Sequence, residues 1–141
     1  MTDRTISPIT TPASLPVVAA PVLVGIVGTV SAEAGLRAGF EHAKLCRTTV
    51  HVVCAGHASA ADDAFLNDLI DRWAEKFPDV PVRSRICRAV DAAVTLVAAA
   101  RHCGAVVLPA SSEPVVAAVT TAVARRAHCP VIVVGAVEPA V

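Results

Sequence analysis

Five short apolar runs, separated by segments with helical periodicity, constrain the fold of this chain more than any other feature of its sequence. Such alternation of strands and helices predicts a parallel sheet with helices on both faces, and right-handed crossovers leave few possible topologies. The 141 residues fit one domain, and a composition of 55% hydrophobic and 17% charged residues excludes an intrinsically disordered chain. The predicted strands cover residues 22–27, 50–55, 82–86, 105–108 and 130–135.

The third run differs from the others because apolar and polar residues alternate along it. Its sequence, Val82-Arg83-Ser84-Arg85-Ile86, is typical of an edge strand with one face in water. The strand order 2-1-3-4-5 would place this half-polar strand in the centre of the sheet, whereas the order 3-2-1-4-5 places it at an edge. The sequence therefore predicts an α/β fold with a single open, parallel five-stranded sheet of order 3-2-1-4-5.

The four intervening segments each present an apolar stripe, and turn residues mark their ends. We expect Ser31 to cap the first helix, Asp62 or Asp63 to open the second, and Ser112 with Pro114 to start the fourth. The expected stripes are Leu36, Phe40 and Ala43 in the first helix; Phe65, Leu69, Trp73 and Phe77 in the second; Val90, Val94, Val97 and Arg101 in the third; and Val116, Val119, Val123 and Ala127 in the fourth.

Composition and charge also limit where the chain works and what it binds. Residues 1–16 carry three prolines among serines and threonines, so we expect a flexible N-terminal arm followed by one domain over residues 17–141.

The longest apolar run, residues 16–30, is too short to span a bilayer. A net charge of zero gives no electrostatic reason for binding nucleic acid or a membrane surface. Five cysteines without a CxxC pair predict buried free thiols and a cytoplasmic protein.

The histidines and cysteines do not predict a metal or catalytic site. The nearest candidates for metal ligands are Cys54-x-x-His57 and two adjacent His-Cys pairs. Adjacent side chains on a helix point about 100° apart, so neither adjacent pair chelates easily. We expect no metal ion and no catalytic residue.

A small basic cluster, Arg83, Arg85 and Arg88, accompanies the third strand. Charged side chains on an exposed edge prevent unwanted strand pairing, and they could also contact an anionic partner. Both interpretations stay open from the sequence.

Three segments resemble the universal stress protein family. Residues 24–29 together with 31–37 are similar to its first strand, turn and first helix, and Val50-His51-Val52-Val53 is similar to its second strand. Residues 123–134, which read VARRAHCPVIVV, are similar to the family's C-terminal helix end, turn and strand, and they form the most specific segment. The resemblance covers about residues 20–137 and implies an adenine nucleotide alpha hydrolase-like fold.

The resemblance also implies how copies of the chain assemble. Many family members dimerise through the fifth strand, which here is apolar on both faces and should form the second edge of the sheet. An exposed apolar edge is an aggregation hazard, and a second copy related by a two-fold axis would cover it. We therefore expect a homodimer whose interface contains Val131, Ile132, Val133 and Val134.

Family members that bind ATP have an acid at the tip of the first strand and a loop of the form G-x2-G-x9-G-[S/T] after the fourth strand. Here Val27 occupies the position of the acid, and residues 109–114 contain two prolines, Glu113 and no glycine. A phosphate-binding loop needs backbone N–H groups in glycine-type conformations, so this loop has lost the chemistry. The pocket positions that the resemblance implies are Gly25, Val27, Val52, Ala110, Ser111, Ala117 and Ala118.

The sequence therefore predicts a non-enzymatic stress-response protein without a cofactor, with ATP binding disfavoured. Two alternatives stay open. One is an ATP- or AMP-binding member with an altered phosphate loop, and the other is an adaptor that docks another protein through its N-terminal arm or its arginine cluster.

Overall fold

The computed structural model describes residues 19–88 and 91–135, and the predicted N-terminal arm over residues 1–16 lies outside them. Strands and helices alternate through the described chain, and every strand pair in the sheet is parallel. The elements are β1 (Val22–Val27), α1 (Ala32–Cys46), β2 (Val50–Ala55), α2 (Ala60–Lys76), β3 (Val82–Cys87), α3 (Ala92–Ala100), β4 (Ala105–Pro109), α4 (Pro114–Arg126) and β5 (Val131–Val134).

The spatial order of the strands is β3-β2-β1-β4-β5, which confirms the predicted order 3-2-1-4-5. All six residues of β1 are buried, because this strand lies at the centre of the sheet with helices on both sides. Strand β3 lies at an edge of the sheet, as predicted, but Arg83, Ser84 and Arg85 are all exposed, so both of its faces reach solvent there and not one alone.

Helices α1 and α2 cover one face of the sheet, and α3 and α4 cover the other. Each face buries its own apolar cluster, one built around Phe40 and Trp73 and the other around Leu96 and Val123. The predicted α1 stripe of Leu36, Phe40 and Ala43 is fully buried. No helix of the described residues is long and apolar enough to cross a membrane.

The predicted buried stripe of α2 was wrong in part. Phe65 is 48% exposed, and the buried residues are Leu66, Leu69, Ile70 and Trp73, at i, i+3, i+4 and i+7. The helix also begins two residues earlier than expected, because Ser59 forms a capping box with Asp62. The spacing i, i+4, i+8, i+12 used for the prediction drifts around a helix of 3.6 residues per turn, which is why its first member faces solvent.

The predicted stripe of α3 was also wrong. Val94 is 53% exposed, and the buried residues are Thr95, Leu96 and Ala100, while Val90 lies outside the described residues. Nearly every residue of this helix is alanine or valine, so hydrophobic periodicity does not identify which face is buried.

Two of the predicted helix caps are supplied differently. Ser31 stands at the N-cap of α1 with φ of 53°, but its side chain makes no cap and its Oγ donates to the carbonyl of Ala110 at 3.3 Å. The N-cap of α4 is Glu113 rather than Ser112, and Val116 and Val123 of its predicted stripe are buried while Val119 and Ala127 are half-buried.

Candidate functional site

A cleft of about 600 Å³ opens beside the carboxyl ends of β1 and β2. Its walls come from the turns after those two strands, from the segment between β3 and α3, and from the first turns of α4. Strand β2 lies on one side of β1 and β4 lies on the other, so the direction in which strands are added reverses at β1. The cleft lies at this point of reversal. Open α/β sheets bind their ligands in this position.

Glycines in the left-handed region form the floor of the cleft. Gly28 has φ of 63° and Gly56 has φ of 78°, and both follow directly after a strand. The amide of Gly28 donates to the carbonyl oxygen of Ala55 at 2.8 Å, which joins the two strand ends. A residue with a Cβ would be strained at these two turns, so the glycines define the shape of the floor.

Arg88 lines the cleft, and its guanidinium is bound on two sides. Nη1 donates to the carbonyl oxygens of Ala55 at 2.7 Å and Gly56 at 3.1 Å. Nε donates to Asp63 Oδ1 at 3.1 Å, and Nη2 contacts the same oxygen. The ion pair is about three-quarters buried or more, since the two side chains are 19% and 28% exposed. The arginine therefore joins β3 to β2 and α2, and its charge is neutralised within the protein.

The thiol of Cys54 lies close to this ion pair and is not activated by it. Burial raises the pKa of Cys54 to about 11, although the charge of Arg88 opposes the shift. A thiol with so high a pKa carries almost no thiolate at neutral pH, which makes Cys54 a poor nucleophile.

The start of α4 forms the opposite wall of the cleft, and its backbone donors are used within the chain. The carboxylate of Glu113 accepts hydrogen bonds from the amides of Val115 at 2.8 Å and Val116 at 3.4 Å. The amide of Ala117 donates to the carbonyl oxygen of Glu113 at 2.9 Å, and Pro114 has no N–H. The amide of Glu113 itself donates to Ser111 Oγ at 3.0 Å. The helix N-terminus therefore holds its own carboxylate in the place where helices commonly bind phosphate.

The structure distributes the seven predicted pocket residues over three locations. Val27 lines the cleft and is 5% exposed. Gly25 and Val52 lie inside the sheet, where Gly25 packs against Leu96 and Leu108 and Val52 belongs to the apolar cluster under α1 and α2. The other four residues, Ala110, Ser111, Ala117 and Ala118, lie in the loop after β4 and along α4.

Two features of the cleft were missed from the sequence. The first is the pairing of Arg88 with Asp63, two residues that are 25 positions apart. The second is the presence of His57 and Asp91 in the lining. His57 could have been found, because a residue that follows the glycine after a parallel strand must lie at the carboxyl edge of the sheet.

The described residues contain no group of three or more histidine, cysteine, aspartate or glutamate side chains that could hold a metal ion. All five cysteines are free, but the expectation that each is buried was wrong for Cys46, which is exposed. Cys54 and Cys103 are buried, and Cys87 and Cys129 are half-buried.

Solved structures share this fold at low sequence identity. No protein-family model matches the sequence, and no curated protein matches it. A universal stress protein from Archaeoglobus fulgidus in complex with dAMP is 20% identical, with a TM-score of 0.63 over 84% of this chain and 99% of that chain. A universal stress protein in complex with cAMP is 18% identical, with a TM-score of 0.60 over 82% and 97%. The universal stress protein UspA from Lactobacillus plantarum is 15% identical, with a TM-score of 0.54 over 85% and 100%. The chain therefore has the fold of the universal stress proteins.

Proposed function

We propose that this chain is a cytoplasmic, non-enzymatic stress-response protein of the universal stress family that does not bind ATP. Its fold and the three similar segments support the family, and the free cysteines support a reducing compartment. One observation carries the claim about ATP. The carboxylate of Glu113 occupies the N-terminus of α4 and accepts the hydrogen bonds that a phosphate would need.

The rest of the cleft supports the same conclusion. A phosphate placed at the start of α4 would meet a carboxylate of like charge and would have to displace it from two amides. Residues 109–114 contain no glycine that could turn further amides towards a ligand. At the tip of β1 the apolar side chain of Val27 cannot accept a hydrogen bond from a ribose hydroxyl.

Calorimetric titration of the full chain with ATP and Mg²⁺ tests this proposal. We expect a dissociation constant no tighter than millimolar for the wild-type chain. The variant Val27→Asp should not recover binding, because the phosphate donors stay occupied. Glu113→Gln removes the charge while its amide oxygen can still cap the helix, so it too should leave ATP unbound. A low micromolar dissociation constant for the wild-type chain would overturn the proposal.

A specific observation favours a second candidate function, the binding of a nucleoside monophosphate. The cleft of about 600 Å³ lies at the position typical of ligand sites in this kind of sheet, and it is lined by both apolar and polar groups. Two of the similar structures contain dAMP or cAMP, which each carry a single phosphate. A ligand with one phosphate would need fewer hydrogen bonds from the N-terminus of α4 than ATP needs. Nucleotide released from the purified protein by denaturation, or micromolar binding of AMP, would favour this candidate.

We also propose that two copies of the chain pair through β5. Among the described residues β5 pairs only with β4, so it is an edge of the sheet, and Val133 is 49% exposed on it. An apolar edge strand with unpaired backbone groups is a template for another strand. Antiparallel pairing about a two-fold axis would let the same surface serve both copies.

Sedimentation velocity of matched variants tests the pairing. Val133→Lys should yield monomers or aggregates, since the pairing of two copies would place a charge at the interface. Val94→Lys, which changes a residue of 53% exposure on α3, should leave the assembly unchanged. A wild-type chain that sediments as a monomer at high micromolar concentration would contradict this proposal.

A further inference from the structure

A depression of about 320 Å³ lies on the α3 and α4 face of the sheet, beside the edge strand β3. Helix α3 packs on β1 and β2, and α4 packs on β4, so the outer part of this face has little helical cover. The β3 depression, as we call it, has four basic side chains in its lining: His51 of β2, Arg83 and Arg85 of β3, and His102 just after α3.

The sheet places three of these side chains next to one another. Arg83 and Arg85 are two residues apart on β3, so they project from the same face of the strand. His51 is the register partner of Arg83 on the neighbouring strand, which puts the two backbones about 4.8 Å apart. His102, which follows the end of α3, also lines the depression.

No acidic side chain of residues 19–88 and 91–135 lines the depression. None of the ion pairs and side-chain hydrogen bonds between described residues involves Arg83 or Arg85. Arg88, the third arginine of the cluster seen in the sequence, is different, because the carboxylate of Asp63 in α2 neutralises its charge.

The floor of the depression strengthens the field of the two arginines. Leu23, Val53 and Ala99 supply apolar surface there, and charges interact more strongly beside such surface than in bulk water. The pKa of His51 is lowered from its ordinary value, first by burial and then by the positive charges of Arg83 and Arg85. The two guanidiniums therefore lie close enough to His51 to disfavour its protonated form.

We propose that the β3 depression binds an oxyanion of the phosphate class, held by the guanidinium groups of Arg83 and Arg85. Guanidinium groups bind tetrahedral oxyanions through paired, charge-assisted hydrogen bonds, and two of them on one strand face can reach the same ligand. The site is separate from the cleft at the carboxyl ends of β1 and β2, and it does not depend on the function proposed for that cleft.

Sulfate is the first probe, because its charge does not change between pH 5.5 and pH 8. The full chain is titrated with sulfate at constant ionic strength, and binding is followed by the amide and side-chain NMR signals of Arg83, Arg85 and His51. We expect saturable shifts confined to the depression. Shifts that do not saturate, or that spread evenly over all exposed arginines, would overturn the proposal and leave edge protection as the role of these arginines.

Two double variants separate a site from a general excess of positive charge. Arg83→Gln/Arg85→Gln should weaken sulfate binding about tenfold or more, which corresponds to about 1.4 kcal/mol. Arg125→Gln/Arg126→Gln removes the same charge from exposed residues at the end of α4 and should change the affinity less than twofold. Equal weakening by both would overturn the proposal. Arg83→Lys/Arg85→Lys keeps the charge at the strand edge and should also bind more weakly than wild type, which provides a test if the Gln variant fails to fold.

The titration of His51 gives an independent readout. The groups that face it are Arg83 and Arg85 from β3 and His102 from the end of α3. A bound dianion would offset the arginine charges, so the pKa of His51 should rise when sulfate is added, and sulfate should bind more tightly as the pH falls. An unchanged pKa of His51 at saturating sulfate would contradict the proposed location.

A final comparison distinguishes the source of the phosphate group. Inorganic phosphate and phosphoserine are titrated under the same conditions as sulfate. Tighter binding of phosphoserine would support a phosphate monoester as the ligand, and equal affinity would support the free anion. Failure of both to compete with sulfate would overturn the assignment to the phosphate class.

Discussion

Helix α1 approaches β1 so closely that one of its glycines has no room for a methyl group. A Cβ built at Gly39 would lie 2.2 Å from Cγ2 of Val24, whereas one built at Gly35 would lie 3.5 Å from Cγ1 of the same valine. The first distance is a severe overlap and the second is an ordinary van der Waals contact. The two glycines are both buried on one helix, so they form a matched pair.

The expected difference in stability between Gly39→Ala and Gly35→Ala follows from two terms, and one of them is the same for both variants. Replacing glycine by alanine inside a helix stabilises it by about 1 kcal/mol, and this gain is the same at both positions. Gly39→Ala adds the cost of overpacking, about 1–3 kcal/mol. Val24 cannot relieve the overlap easily, because it is fully buried and β-branched and so has few rotamers available. Gly39→Ala should therefore be less stable than Gly35→Ala by about 1–3 kcal/mol.

Equilibrium unfolding in urea measures this difference. Gly35→Ala should unfold at a higher urea concentration than wild type and Gly39→Ala at an equal or lower one, with equal m-values. The double variant Gly39→Ala/Val24→Ala removes the overlapping methyl, so its loss of stability should be smaller than the sum of the two single losses. Equal stability of Gly35→Ala and Gly39→Ala would refute the close approach of α1 to β1.

Two further predictions concern the thiols and the ion pair at the cleft. Burial raises the pKa of Cys54 and Cys103 to about 11, and Cys46 is exposed, so maleimide at pH 7 should label Cys46 in the folded protein and reach Cys54 and Cys103 only on unfolding. Mass spectrometry of the labelled peptides checks this, and fast labelling of Cys54 would contradict it. Arg88→Met should lower the free energy of unfolding by about 1–3 kcal/mol, because a partly buried carboxylate and the carbonyl of Gly56 lose the donor Arg88, although the carbonyl of Ala55 keeps the amide of Gly28. Arg72→Met is the control, since its ion pair with Asp68 is exposed and should contribute less than about 0.5 kcal/mol. Equal melting temperatures for the two variants would show that Arg88 contributes no more to stability than Arg72 does.

The strand order could be predicted from the sequence because one strand differs chemically from the rest. A strand buried on both faces reads as a continuous apolar run, and the third strand breaks that pattern with three consecutive polar residues, Arg83, Ser84 and Arg85, whereas the other four strands carry at most one, His51. Their position at an edge then fixed the order. The helix faces were harder, because α3 is made almost entirely of alanine and valine and presents similar residues on every side. There the tertiary contacts of Leu96 decide which face is buried.

The candidate site could be predicted only where the type of a single residue decides the chemistry, without knowledge of its partners in the fold. Val27 at the end of β1 and Glu113 before Pro114 were both recognised as unfavourable to ATP, and the cleft contains both. The pairing of Arg88 with Asp63 was not predictable, because it depends on where α2 begins. The capping box of Ser59 and Asp62 starts the helix at Ala60 and so determines where Asp63 lies relative to the end of β3.

The net charge is zero, but charged side chains are paired at the cleft and unpaired among the described residues of the β3 depression. This difference affects both the proposal about ATP and the proposal about an oxyanion. At the cleft, the carboxylate of Glu113 caps α4 and the guanidinium of Arg88 is held by Asp63, so a ligand there must compete with bonds that stabilise the fold. In the β3 depression, Arg83 and Arg85 lie beside His51, and the described residues place no carboxylate in the lining, so an anion would add bonds and break none between the described side chains. Because a buried or paired charge must be released before it can bind, the second place is the better anion site, although the first has the larger volume.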